Sequence, residues 1–192
     1  MTETSDMGAL LEREDHEGLV ALARTGVSRV LRFLTGRLYS TDHEEKFRAV
    51  RALGGVVRHA EIAASDRLAD LLRRFFWALN AESGAVPYGV PEAIGEILAV
   101  RPEMQRDFLS PLCSMLVHEE MIQTGPIERG VVWALGRIGP AAVQCEPEIV
   151  SALRRAARDH PEEATRALAA WALDRLEGGP GSVSERLVPP AR

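Results

Sequence analysis

Aromatic residues make up only 5% of the 192-residue chain, and runs of β-branched residues are scarce. Strands draw on both kinds of side chain, so this scarcity argues against a sheet-rich fold. A basic excess is missing too: 23 Lys and Arg face 28 Asp and Glu, a net charge of −5. Nucleic-acid binders more often carry a basic surplus, so the balance argues against DNA or RNA as a partner. The two cysteines, Cys113 and Cys145, form no CxxC pair. They read as free, largely buried thiols in a reducing cytosol. No apolar stretch approaches the roughly 20 residues of a membrane span. The opening Met1-Thr2-Glu3-Thr4-Ser5-Asp6 is acidic and polar, without the basic and apolar regions of a signal peptide. The expected location is the cytoplasm, with no membrane partner.

What the chain does have is a phrase that recurs. Ala52-Leu53-Gly54, Ala93-Ile94-Gly95, Ala134-Leu135-Gly136 and Ala172-Leu173-Asp174 are spaced by 41, 41 and 38 residues. A period near forty, carried by a helical phrase, predicts stacked helix pairs. Ala, Leu, Arg and Glu dominate the middle of the chain and favour helix.

Caps and breakers divide the chain into about nine helices. Asp15 opens a first helix that runs to Gly26, and a second follows from Val27 to Leu38. Thr41 with Glu44, or Asp42 with Glu45, sets the start of a helix to about His59. Its partner spans about Asp66 to Asn80. Pro91 suits a first helical turn, so the next helix begins near Val90. Further helices are expected over Glu103–Glu119, from Thr124 to the Gly139-Pro140 stop, over Pro147–Asp159, and from Pro161 to Gly178. Residues 1–7 are expected as a disordered lead, 8–177 as the repeat domain and 178–192 as a flexible tail.

Aligning the four copies separates scaffold from surface. Position one holds Ala49, Val90, Val131 and Ala169; position five holds Leu53, Ile94, Leu135 and Leu173; position eight holds Val56, Ile97, Ile138 and Leu176. These sites recur at helical spacing and form the expected buried stripe. Position four is always alanine and position six is glycine three times. Small residues there favour close helix approach, against a propensity cost of about 1 kcal/mol for glycine.

In Gly130-Val131-Val132-Trp133-Ala134-Leu135-Gly136-Arg137-Ile138-Gly139 and Arg166-Ala167-Leu168-Ala169-Ala170-Trp171-Ala172-Leu173, the chain resembles the HEAT-repeat superfamily. The likeness is to the short bacterial, PBS-lyase type of repeat, over about residues 15–177. It implies an all-α, right-handed α-solenoid of about four helix pairs with a terminal capping helix. Such arrays mostly bind proteins or peptides. Trp77-Ala78-Leu79-Asn80-Ala81-Glu82-Ser83-Gly84, followed by Pro91-Glu92-Ala93-Ile94-Gly95-Glu96-Ile97, also resembles an uncharacterised HEAT-like group from anaerobic bacteria.

Departures from the repeat nominate the candidate binding residues. Position three reads Arg51, Glu92, Trp133 and Trp171, and position seven reads Gly55, Glu96, Arg137 and Arg175. Four residues apart, the two columns share a helix face. They predict a polar and aromatic ladder, with Arg51 paired to Glu92 and Glu96 to Arg137. Such a ladder is either a solvated face or, with Trp133 and Trp171 beside arginine, a binding surface. The second departure is Ala81–Gly89, a long loop after Trp77. Asn80, Glu82 and Ser83 either close that loop and cap helix ends or, with Tyr88, Glu92 and Glu96, line a pocket.

Three His-Glu dipeptides begin at His16, His43 and His118. Deoxyhypusine hydroxylase, a HEAT-like enzyme, binds two irons through such pairs. Here the sites matching His43 in the other copies are Gly84, Gly125 and Glu163, so the pattern does not carry over. The three are read as helix-end histidines, with no cofactor and no metal. Bilin lyases have similar repeats, yet no catalytic constellation transfers residue by residue. For HEAT-like DNA glycosylases, Trp77, Trp133 and Trp171 could mimic their aromatics, but Glu82, Glu92 and Glu96 would repel phosphates. The expected function is a non-catalytic scaffold for another protein or peptide. The alternative is a small enzyme or ligand-modifying accessory protein, lyase-like or metal-dependent, using the Asn80–Glu96 region.

Overall fold

A computed structural model of the chain describes residues 2–59, 61–80, 88–118 and 125–178. These residues are all-helical, with ten α-helices, one short 3-10 turn and no strand among them. The chain divides into two compact units, Met1–Arg101 and Pro102–Arg192.

The first unit holds α1 (Thr2–Glu12), α2 (His16–Arg37), α3 (His43–Val57), α4 (Ser65–Leu79) and α5 (Val90–Val100). The segment expected as a disordered lead is helical from Thr2, because Met7 and Leu11 find apolar partners and bury. Asp15 caps α2, accepting the Gly18 N–H at 2.8 Å. Gly26 leaves the helical region inside α2 (φ −161°, ψ 58°), so the break expected between two helices is a kink. Asp42 caps α3 through the N–H groups of Glu44 and Glu45, at 2.8 and 3.2 Å. In α4, Leu68, Leu71, Leu72 and Phe75 bury one stripe. In α5 every residue from Val90 to Leu98 is buried. A helix covered on all sides is central, and α3 and α4 both pack against it.

Arg101, at the end of this unit, is buried as well. Its guanidinium donates to the carbonyls of Val57 (2.9 Å) and Ala63 (2.8 Å) and to Ser65 Oγ (3.2 Å). One side chain thereby satisfies the C-terminal end of α3 and the turn that leads into α4.

The second unit holds the 3-10 turn Pro102–Met104, then α6 (Gln105–Val117), α7 (Gly125–Ile138), α8 (Ala141–Cys145), α9 (Glu148–Asp159) and α10 (Glu163–Leu176). The short α8 lies where the sequence predicts only a connection. Gly139 ends α7 in the left-handed region (φ 77°), its N–H donating to Leu135 O at 2.9 Å. α10 packs on both α7 and α9. Along the repeat columns, Ala49, Val90, Val131 and Ala169 are all fully buried, as are Leu53, Ile94 and Leu135. In α10 the stripe narrows: Ala170 is exposed and Leu173 half-buried.

Candidate functional site

Glu92 and Glu96 belong to the interior of the first unit. Glu92 is only 3% exposed and faces Lys46, itself 5% exposed, with Oε1 and Nζ 3.4 Å apart. The expected Arg51–Glu92 pair does not form: Arg51 Nη2 binds Glu14 Oε1 at 2.8 Å instead. The reason is the position of α5. Neighbouring helices enclose it, so its acidic face meets an inward-pointing lysine rather than solvent.

Lys46 is the chain's only lysine, beside 22 arginines. Its ammonium also lies 4.7 Å from the centre of the Phe47 ring and 3.5 Å from the Tyr88 carbonyl. Its stem passes close to Gly89, where a methyl group would stand 2.7 Å from Lys46 Cγ and 3.0 Å from Leu38 O. Gly89 is therefore needed for close approach, and its N–H donates to that same Leu38 carbonyl at 2.8 Å. Tyr88, half-buried, is held at this clasp through its backbone. The lone lysine among arginines was the available sequence signal for this pair. Glu96, also buried, lies over Gly54, where a methyl group would come within 2.5 Å of its Cγ.

Trp77 has the opposite environment. It is 76% exposed near the end of α4, on the face that also presents Asp66, Arg67, Asp70, Arg73 and Arg74. Arg73 is tied to Asp70 at 2.7 Å. Asn80 closes the helix, its Nδ2 donating to Phe76 O at 2.8 Å and its N–H to Trp77 O at 3.2 Å. This is the helix-end role among the two foreseen for it. Glu82 and Ser83, with the rest of residues 81–87, lie outside the described residues.

Trp133, Arg137 and Trp171 are in the second unit, all half-buried. Trp171 rests on Gly136, where a methyl group would lie 2.5 Å from its Cζ3 and 3.0 Å from Ala172 Cα. Its indole Nε1 is buried with no hydrogen-bond partner. The first-unit candidates Trp77, Asn80, Tyr88, Glu92 and Glu96 thus do not form one surface: two carboxylates are internal and the tryptophan is outside.

A polar cluster that the repeat columns do not mark joins the starts of α7 and α10. Arg129 pairs with Glu162, which also accepts from Thr165 Oγ1 at 3.1 Å. The Arg129 hydrogen bond, then the Thr165 hydroxyl, hold the Glu162 carboxyl below its ordinary range. His160 accepts the Glu162 N–H at Nδ1 (3.1 Å), and its Nε2 faces Glu128 Oε2 at 3.3 Å.

His16 and His43 begin α2 and α3, and His118 follows α6, so all three stand at helix ends. Cys113 is buried as expected, whereas Cys145 is exposed. Among the described residues no three His, Cys, Asp or Glu side chains gather as metal ligands would, and no helix is long and apolar enough to cross a membrane.

No family model matches the chain. It is similar to an uncharacterized protein of Archaeoglobus fulgidus, 29% identical over 137 residues, which cover 71% of this chain and 68% of that protein.

Proposed function

We propose that the chain is a cytoplasmic, non-catalytic scaffold of HEAT-like repeats that holds another protein or peptide, with Trp77 as an anchor. The repeat reading is supported inside each unit by helices of the recurring phrase packing on one another, α3 on α5 and α7 on α10. The same glycine column provides the close approach in both, at Gly54 and Gly136. The observation that carries the binding reading is the exposure of Trp77, 76%, on a charged helix face. A large aromatic left in water beside arginines is the residue type that dominates binding energy at protein interfaces. Glu92, by contrast, is engaged by Lys46 within the fold.

The test is Trp77→Ala, compared with the unaltered chain in affinity purification from the native host and in thermal melting. An exposed substitution of this kind shifts stability by no more than about 0.5 kcal/mol. The expected outcome is loss of a specifically retained protein with an unchanged melt. Identical partner recovery with and without the indole would refute Trp77 as the anchor.

A further inference from the structure

The chain's only two cysteines, 32 residues apart in sequence, lie on two helices that pack on one another in the second unit. Cys113 lies in α6 and is fully buried, and Cys145 is the exposed last residue of α8. α8 lies against α6, with Cα atoms of the two helices within 8 Å of each other. Burial pushes the Cys113 thiol far up from the ordinary thiol range, and the neighbouring Cys145 thiol adds to the shift. A disulfide needs Cα atoms about 4.4–6.8 Å apart. α8 has five residues, stands between Gly139-Pro140 and Pro147, and packs on α7, α9 and α10 as well as α6.

We propose that Cys113 and Cys145 are a modification site, a thiol pair that a small-molecule disulfide converts to an intramolecular disulfide fastening α8 to α6. Cys145 is the attacking group because it is the one in contact with solvent. Its thiolate attacks one sulfur of the small disulfide, whose S–S bond breaks, and the leaving small thiolate takes up the proton that Cys145 released. Cys113 then gives up its proton, and its sulfur displaces the second small thiol from Cys145. Two protein thiols are oxidised to one disulfide, and one small disulfide is reduced to two thiols. Because burial keeps Cys113 protonated, the second step is the slow one and quickens as pH rises.

The full chain is incubated with oxidised glutathione, quenched with an alkylating reagent and mapped by mass spectrometry, with helical circular dichroism recorded throughout. The expected result is a Cys113–Cys145 cross-link within one chain, loss of both titratable thiols, unchanged helicity and faster closure at higher pH. A glutathione adduct that persists on Cys145 while Cys113 stays a thiol overturns the proposal. So does a cross-link that joins two copies or appears only in denaturant. In Cys145→Ser, an exposed change, Cys113 should stay unreactive in the folded chain. Rapid glutathionylation of Cys113 there would equally overturn the ordered pair.

Discussion

Gly54 and Gly136 occupy the same position of the same phrase, yet they receive different guests. Gly54 receives the flexible carboxylate arm of Glu96, whereas Gly136 receives the rigid indole of Trp171 and the backbone of Ala172. What recurs between the two units is therefore room for a close approach. The chemistry placed in that room is polar in the first unit and aromatic in the second. The contrast extends outward: elsewhere in the first unit the interior accommodates the buried Lys46–Glu92 pair, while beside Gly136 it accommodates a ring whose N–H finds no partner.

The most damaging way to test the polar side of this contrast is Lys46→Ala. It strands Glu92 in the interior without the cation opposite it, at a cost of about 3–5 kcal/mol. The double change Lys46→Met with Glu92→Leu should recover most of the loss, since an apolar pair of similar volume needs no counter-charge. Urea unfolding of the three proteins measures both. Equal losses in the single and double variants would mean that the pair contributes packing rather than charge balance.

A second experiment sets the two seats directly against each other. Gly136→Ala pushes a methyl group into an indole and a backbone atom, an overpacking expected to cost about 1–3 kcal/mol. Gly54→Ala meets the Glu96 side chain, which has more rotamers than an indole though it too is buried, and the helix gains about 1 kcal/mol from alanine. Its net loss should be clearly the smaller, read as the shift in thermal midpoint. Matching shifts would show that the guest's stiffness does not matter.

The gentlest test is pH. Glu162 is held below its ordinary range, first by Arg129 and then by Thr165. A carboxyl depressed in the folded state contributes stability that is fully present above its unfolded value. That contribution disappears as pH falls through the folded value. Arg129→Gln should flatten this acid limb by lowering the second unit's stability slightly at neutral pH, where the contribution is fully present, while leaving it unaltered below the folded value. The effect is small because the pair faces solvent.

Much of the helical layout was legible because its causes are local. Asp15 and Asp42 cap through their own neighbours, Gly26 breaks α2, and Pro91 fixes where α5 begins. Two elements escaped: α1, whose polar opening hides the tertiary burial of Met7 and Leu11, and α8, too short to display a period. The candidate site was less legible. Glu92 and Glu96 have a pattern indistinguishable from a solvated helix face until α3 and α4 are placed around α5. Trp77, in contrast, is apolar by type and exposed by position, on a helix whose apolar stripe is complete without it. The sequence named it as a candidate, and the fold separates it from the buried carboxylates named with it.

The buried Lys46 also sets how this protein meets amine chemistry. Histidines aside, every other basic side chain is a guanidinium, inert to acylation at neutral pH, so the folded surface carries no reactive lysine. Acylation of the one side-chain amine has to wait until the clasp at Gly89 opens and admits the reagent. Its rate is then a clock for local opening, reported by a single atom inside the first unit.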